Sequence, residues 1–595
     1  MSRNPLERAA LAVAAGFALL ATPAAADTPR AQIEGVADRD LRDLIALAIG
    51  TSEDPPASRF EARNRGRQAT EAAVKVLRSE GYYGATVEPV LGDGERPAVT
   101  LRITPGERFV FTPPVLTWQG APPDDAASAE ALVAAGLKPG GPGRAEDVVA
   151  AEGRVVAALN QRGYADARIA PREVVVDHAT RTVNPTYRID PGSLVRLDGL
   201  QLETTGRTDR RWILSLAPWR EGDTYDPDDV AELERRLLDT GVYDSVTVAL
   251  APAAQATPEG LRPIVVSLAD RPRRVLELGA GFSTSEGAGV EAEFNRFNQF
   301  GRGDTLTARG VLAQIERRLA AELSLPHFRR ANRTLRIGAE AFQNETDAFD
   351  ELGLAVSADL TQRFGRTTFF TYGLRADLSQ TVEQGVNRDF VALTGLAAFA
   401  LDRSNDILNP TSGWRVEGRI EPTTLAGDAS LVFVRNQAQA SAYLPFDAEG
   451  RTSLAGRLRL GVIAGGEIPA VPAGRRFYAG GGGSVRGYEF QSIGPRLADN
   501  TPQGGLSLLD GSLELRRQGF GERGLWRALG GVAFIDVGTV GTEEYPDPDE
   551  LKASVGVGVR FDLGFAPVRA DIAVPLQAED GEAPFQIYVS LGQAF

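Results

Sequence analysis

The chain has 595 residues, too many for a single hydrophobic core, so several domains are expected. Its formal net charge of -15 argues against nucleic-acid binding, which needs a basic face, and the lack of cysteine excludes disulfides and thiolate metal sites. Histidine occurs only at His178 and His327, which leaves few candidates for imidazole chemistry.

The first 26 residues have the pattern of a secretory signal peptide. Arg3 and Arg8 supply a positive start, residues 9–20 form an apolar segment too short to span a bilayer, and residues 24–26 offer a small-residue cleavage site. A buried helix is the alternative. No later stretch holds 18 uninterrupted apolar residues, so a mature chain that spans a membrane must do so as a β-barrel.

A pattern recurs three times between residues 27 and 271. In each copy an amphipathic stretch is followed by a glycine, a small residue four positions later and then β-formers; the glycines are Gly81, Gly163 and Gly241. Glycine at this place is typical of a helix C-cap in the left-handed region. In the third copy, Asp226 followed by Pro227 is typical of a helix start.

We interpret this pattern as three α+β repeats, at residues 27–105, 106–191 and 192–271. Each is expected to contain a strand, two helices and two further strands. A period of about 80 residues indicates a duplicated domain more than a solenoid. A single larger α/β domain with chance similarity is the alternative.

After the third repeat, apolar and polar residues alternate. In the first segment Leu276 and Leu278 lie on one face, and Gly279 and Gly281 lie on the other. Such alternation in segment after segment is typical of a transmembrane barrel with one face toward lipid and one toward the lumen. A soluble sandwich would also alternate, but it would seldom place arginine on so many strands behind an export signal. We predict a membrane β-barrel of about 16 antiparallel strands over residues 272–595.

The longest gap between predicted strands, residues 466–505, contains Val485, Arg486, Gly487 and Tyr488 in succession. A loop of this length without structure of its own is usually functional or disordered. Its glycines resemble a phosphate-binding loop, but the Gly-Lys-Ser/Thr ending of such loops is missing.

These four residues resemble the loop-six motif of the outer-membrane assembly factors, a superfamily with periplasmic POTRA repeats and a 16-stranded barrel. Phe534, Asp536 and Gly538 match the Phe-x-Asp-x-Gly pattern of that family's thirteenth strand. Residues 556–560 and 571–576 are similar to its strands fourteen and fifteen. The resemblance covers the whole mature chain, and the order of the motifs makes it specific.

The resemblance implies that the tip of the long loop folds back into the lumen. Arg486 would there form an ion pair with Asp536, because alternation turns Asp536 inward if Ile535 and Val537 face lipid. The alternative is a solvated loop arginine and an unrelated acid in the lumen.

A lateral seam is expected where the first strand meets the last. Gly279, Gly281 and Gly592 would reduce its packing, and Phe595 places an aromatic side chain at the membrane interface. An opened seam exposes unpaired backbone groups that an incoming strand can satisfy by β-augmentation. The glycines could instead serve only the curvature of the barrel.

By resemblance, the protein is expected to assemble or insert autotransporters and other outer-membrane proteins, with lipid traffic as a further role. Its repeats would lie in the periplasm. Three repeats are most similar to the TamA group, the outer-membrane subunits of the translocation and assembly module. That similarity implies a TamB-like partner anchored in the inner membrane, unfolded outer-membrane protein clients and outer-membrane lipid. A polypeptide transporter of the two-partner secretion type is the alternative.

No enzymatic activity is expected. Ser484 does not stand in a Gly-x-Ser-x-Gly elbow, and the acidic run at residues 543–550 lacks the ligand spacing of a calcium loop. His327 is expected to be a solvated turn residue after the fourth barrel strand. We therefore predict no catalytic, cofactor or metal site and no nucleic-acid partner.

Overall fold

The computed structural model describes residues 28–591, except for 53, 95, 205, 285, 522, 563–566 and 579–581. The predicted signal peptide at residues 1–26 and the seam residues Gly592 and Phe595 lie outside the described residues. The described residues form three small α+β units and then a closed barrel, so the predicted fold class is confirmed. In this part of the chain no helix is long and apolar enough to cross a bilayer.

The first unit packs two helices on a three-stranded sheet whose central strand is the last in sequence. That strand is parallel to the first strand and antiparallel to the second. The strands are Gln32–Glu34, Thr86–Leu91 and Val99–Thr104, the helices are Arg39–Ile49 and Arg59–Ser79, and Thr28–Pro29 pairs with Thr51–Ser52.

The second and third units repeat this topology, with a long last strand in the centre of each sheet. The second has strands Val110–Phe111, Val115–Trp118, Arg168–Ile169, Glu173–Asp177 and Thr182–Asp190, and helices Asp125–Ala134 and Ala145–Gln161. The third has strands Arg196–Leu202, Tyr243–Leu250 and Leu261–Asp270, helices Arg210–Leu214 and Pro227–Leu238, and a 3-10 turn at Ala253–Gln255.

The helix ends follow the expected capping chemistry. Gly81, Gly163 and Gly241 have φ values of 91°, 92° and 70°, the left-handed conformation in which glycine costs least. Asp226 accepts a hydrogen bond at 2.9 Å from the backbone N–H of Asp228, with Pro227 as the first helical residue. The recurring glycine pattern therefore marks the ends of equivalent helices.

Sixteen antiparallel strands, β1 to β16, form the closed barrel. In order they are Arg274–Ser283, Gly287–Phe297, Thr305–Ala313, Glu316–Leu325, Arg333–Glu345, Asp350–Phe364, Thr368–Glu383, Val386–Asp402, Gly413–Gly427, Leu431–Pro445, Thr452–Ala464, Ser507–Arg517, Leu529–Gly541, Lys552–Asp562, Pro567–Pro575 and Gln586–Leu591. Short elements between strands are Ala473–Arg475, Gly524–Ala528 and Pro548–Glu550.

The two faces of the wall differ as the alternation predicts. Leu278 on β1 keeps 76% of its surface exposed on the outer face, as apolar side chains do where the solvent is lipid. Aromatic side chains form a girdle near the proximal rim, which we define as the end of the barrel next to the N-terminal units. Its exposed members are Phe364, Phe370, Phe399, Trp414 and Phe446.

The third unit docks on turns of the proximal rim. These contacts join its second helix and the segment before its first helix to the β2–β3, β4–β5 and β6–β7 connections. They include Asn298 Nδ2 to Thr208 Oγ1 at 2.6 Å, Asn332 Nδ2 to Glu232 Oε1 at 3.0 Å and Arg235 Nη1 to the Gly365 carbonyl at 3.0 Å. The docking covers the first half of the rim and ties the third unit to the early strands.

The expectation that His327 is solvated is wrong. Its turn lies under the third unit, which buries the ring and places it 5.9 Å from the Trp212 ring, centroid to centroid. The backbone N–H of Asn332 donates to Nδ1 at 3.0 Å, so Nε2 carries the proton that it donates to the Arg236 carbonyl at 2.8 Å. Burial lowers the pKa of His327 below its ordinary value.

Candidate functional site: loop six in the lumen and the lateral seam

Loop six, residues 465–506 between β11 and β12, folds back into the barrel. Val485 and Tyr488 at its tip are buried in one apolar cluster with Val540 of β13. This arrangement places the Val-Arg-Gly-Tyr motif against the lumen face of the later strands.

Arg486 is held by Asp536 through two parallel contacts. Its Nε lies 2.7 Å from Oδ2, its Nη2 lies 2.8 Å from Oδ1, and its backbone N–H also donates to Oδ2 at 3.1 Å. The guanidinium carbon stands 3.4 Å from the centre of the Phe534 ring, as in a cation–π contact. Both charged side chains are almost completely buried, so solvent screening is weak.

Two further carboxylates meet Arg486 and were not assigned to it from the sequence. Glu514 of β12 lies 2.7 Å from Nη2, and Asp571 of β15 lies 3.3 Å from Nη1. Each has a second arginine: Arg516 contacts Glu514 at 2.8 Å, and Arg560 pairs with Asp571. Alternation along β12 could have identified Glu514 as a lumen residue, but no spacing rule connects it to a loop residue 28 positions earlier.

The rest of the motif lets the loop approach the wall closely. Gly487 has a φ of 96°, and a β-carbon there would stand 3.1 Å from Cβ of Ser554. A β-carbon at Gly538 would come within 2.7 Å of Val485 Cγ2. The Tyr488 hydroxyl donates to the Ala553 carbonyl at 3.1 Å.

Loop six also reaches the last strand. The backbone N–H of Gly487 donates to the Tyr588 hydroxyl of β16 at 3.1 Å, and that hydroxyl donates to the Tyr488 carbonyl at 3.3 Å. Together with Arg486, these contacts connect β12, β13, β15 and β16 through one loop. The late strands are therefore joined by the contacts of loop six as well as by the backbone hydrogen bonds between neighbouring strands.

The seam between β1 and β16 has a short ladder. Within the described residues it contains two pairs, Phe282 with Val589 and Ser283 with Tyr588, whereas β1 pairs with β2 through ten. Gly279 and the lower part of β1 lie outside the two pairs that the described residues form. The seam is therefore the place where the described wall is least tightly paired.

The seam glycines do not relieve crowding among the described atoms. A β-carbon at Gly279 would meet nothing nearer than 3.8 Å, in Glu291, and one at Gly281 would also keep 3.8 Å from the Val589 carbonyl. A β-carbon would fit at both positions among the described atoms, so glycine leaves this edge with less side-chain packing than it could hold. No group of three potential metal ligands occurs in the part of the chain that the structure describes.

Two relatives are similar to this chain in sequence. The outer membrane protein assembly factor BamA of Neorickettsia risticii is 24% identical over 451 residues, 72% of this chain and 58% of that protein. BamA of Neisseria meningitidis is 22% identical over 524 residues, 77% of this chain and 64% of that protein. The chain thus spans less than two thirds of the length of these relatives.

A solved structure shows the same fold. BamA from Haemophilus ducreyi lacking POTRA domains 1–3 superposes with a TM-score of 0.63 at 18% identity, covering 82% of this chain and 100% of that one. The model of the Omp85 superfamily domain matches residues 298–595, which are 298 of the 595 residues. The chain therefore belongs to the Omp85 superfamily, as an outer-membrane β-barrel with POTRA domains in the periplasm.

Proposed function

We propose that the protein is a non-enzymatic factor that inserts proteins into the outer membrane by opening the seam between β1 and β16. The short ladder among the described residues of the seam carries this proposal. Loop six holds the late strands β12, β13, β15 and β16 together, and the docked third unit holds the early strands. Besides the two ladder pairs, separation at the seam would break the hydrogen bonds between Thr284 and Ile587 and the bond from Gly482 N–H to Glu286 Oε1 at 2.9 Å.

An opened β1 edge would present unpaired N–H and C=O groups inside the bilayer, where nothing but another strand can satisfy them. A strand of an unfolded client would pair with β1 and begin to fold there. The similar relatives are outer membrane protein assembly factors, which supports outer-membrane proteins as the clients. Autotransporters would be one class of client, and outer-membrane lipid would be the surrounding medium and a second cargo.

We further propose that the first repeat docks a long TamB-like protein anchored in the inner membrane. Its strand Thr86–Leu91 forms an outer edge of the sheet, and Leu47 and Phe60 on its helices are 81% and 82% exposed. A free sheet edge can accept a partner strand, and exposed apolar side chains can add contact area. Pro89 removes one donor from the edge, which restricts the possible register.

Seam opening is tested with an engineered disulfide between Phe282→Cys and Val589→Cys, which are directly paired. The chain has no cysteine of its own, so no other disulfide can form. We expect the oxidised protein to remain folded but to lose insertion of an unfolded barrel client into proteoliposomes, and to recover it after reduction.

A matched disulfide at Leu278→Cys and Ala292→Cys links β1 to β2 instead, in the adjacent ladder. This control should insert clients at the wild-type rate in both redox states. Full activity of the oxidised seam variant would remove lateral opening from the mechanism.

Polypeptide transport through the lumen is the second candidate, and a polar lumen cavity of about 440 Å³ favours it. The cavity is lined by charged side chains that include Arg318, Arg375, Arg435 and Glu351. Loop six would have to leave for a chain to pass. Conductance of the purified protein with and without residues 466–505 distinguishes a transporter from an insertion factor. A transporter should conduct once its own substrate is added. An insertion factor should conduct only after residues 466–505 have been deleted.

A further inference from the structure

The periplasmic turn between β12 and β13, residues 518–521 and 523–528 of the described chain, exposes unusual side chains for a turn. It contains the short helix Gly524–Ala528, on which Leu525 and Trp526 are 63% and 61% exposed. Phe520, which precedes the helix, is also exposed. Three large apolar side chains on one turn of about ten residues would be costly to leave in water.

The turn folds outward, over the face of the barrel that meets lipid. A β-carbon at Gly531 would come within 2.8 Å of Cζ of Phe520, so the Phe520 ring lies on that side of β13. Gly531 shares this face with Ile535, which is exposed, whereas Phe534 and Asp536 are buried in the lumen.

Backbone hydrogen bonds fix this fold. Phe520 N–H donates to the Leu529 carbonyl at 2.8 Å, and Gly521 N–H donates to the Trp526 carbonyl at 3.0 Å. The turn is therefore closed at its base, and its apolar side chains are held on the outer side of β13.

The turn lies at the level of the membrane boundary. It joins the periplasmic ends of β12 and β13, the same rim on which Trp414 and Phe446 belong to the aromatic girdle. Trp526 continues this girdle toward the late strands. Tryptophan is enriched at this depth because its ring is apolar and its N–H is polar.

Two exposed arginines, Arg523 and Arg527, flank Leu525 and Trp526 in the sequence. A short segment with apolar side chains on one side and arginine beside them has the chemistry of an interfacial membrane anchor. Guanidinium groups pair well with phosphate, and each basic residue near an anionic surface adds to binding.

We propose that residues 518–528 anchor the barrel in the periplasmic leaflet of the membrane. Phe520, Leu525 and Trp526 insert at the boundary of the acyl chains, and Arg523 and Arg527 bind the phosphates of anionic phospholipid headgroups. The occupant of this surface is thus a lipid surface and not a protein. The proposal does not depend on client insertion.

The test uses full-length protein reconstituted in phosphatidylethanolamine vesicles with and without phosphatidylglycerol. Leu525→Cys carries an environment-sensitive fluorophore, and Leu47→Cys, at an exposed leucine of the first repeat, is the control. The chain lacks cysteine, so labelling is specific. We expect blue-shifted emission, quenching by spin-labelled lipid and several-fold protection from iodide at position 525, with none of these at position 47.

Reversal of both charges, Arg523→Glu with Arg527→Glu, should reduce the protection of the label at position 525, and the loss should be larger in vesicles with phosphatidylglycerol. Migration of the unheated barrel on gels reports folding of every variant. Emission at position 525 that matches position 47 in vesicles overturns the proposal. Shielding that appears only in native membranes also overturns it, because the surface would then bind a protein.

Discussion

Replacement of Arg486 by alanine should be among the most destabilising single changes in the barrel. It would leave the buried carboxylates of Glu514, Asp536 and Asp571 without their shared cation. Glu514 would retain Arg516, but Asp536 would keep only two uncharged donors, the Ser512 hydroxyl at 2.6 Å and the backbone N–H of residue 486 at 3.1 Å. Loss of one partner of a fully desolvated ion pair costs about 3–5 kcal/mol, and we expect a value in that range.

The reverse change, Asp536→Ala, should cost less. Arg486 would still have Glu514 at 2.7 Å and Asp571 at 3.3 Å, so the loss is that of one charged hydrogen-bonding partner, about 1.5–3 kcal/mol. In the double variant no orphaned acid remains at position 536. Its cost should therefore fall short of the sum of the single changes by about 1–3 kcal/mol.

Denaturant unfolding of the barrel in detergent micelles, followed by tryptophan fluorescence and by gel migration without heating, measures these free energies. Arg459→Ala is the matched control, because Asp510 then keeps Arg457 at 3.1 Å. If the effects of Arg486→Ala and Asp536→Ala on the free energy of unfolding simply add, Arg486 and Asp536 do not stabilise each other. If Arg486→Ala costs no more than Arg459→Ala, Arg486 does not hold loop six in the lumen as proposed.

Three other expectations follow from separate parts of the chain. Because burial lowers the pKa of His327, docking of the third repeat should be complete above about pH 6.5 and should weaken as the pH falls toward the lowered pKa. Hydrogen exchange of residues 227–238 should become faster over that pH range. In His327→Gln, hydrogen exchange of these residues should no longer change with pH. Gly487→Ala should destabilise the barrel by about 1–3 kcal/mol in the same unfolding assay, whereas Gly483→Ala, with open space around it, should not. Deletion of residues 27–105 should spare barrel insertion but weaken co-purification of the inner-membrane partner; normal co-purification would move docking to another repeat.

The barrel could be predicted from sequence because each of its strands obeys a local rule. One face meets lipid and the other a polar lumen, so alternation in a single segment already reveals the strand. The pairing of Arg486 with Asp536 was inferred from family motifs. The contacts of Glu514 and Asp571 with Arg486 could not be predicted from the sequence. Ion pairing across a lumen depends on where a loop enters the lumen, and local sequence does not encode that position.

Two other differences have equally physical causes. Proline favours the end of a strand because it cannot donate to the ladder, whereas β9 passes through Pro422 and continues to Gly427. Pro422 faces outward opposite Gly395, where the ladder between β8 and β9 lacks a pair. The pairs on either side of this interruption keep β9 in the sheet. His327 was misjudged because its burial comes from the docked third repeat, a contact between residues 91 positions apart.

Loop six is enclosed by the same strands that it holds together. This enclosure restricts the order in which the protein itself can fold. Once β16 has closed against β1, the tip at Arg486 cannot enter or leave without breaking buried ion pairs to three strands. Burial of the carboxylates on those strands carries a large desolvation free energy until Arg486 pairs with them. The tip must therefore be captured while the sheet is still open, so the late strands fold around it as a template and ring closure comes last.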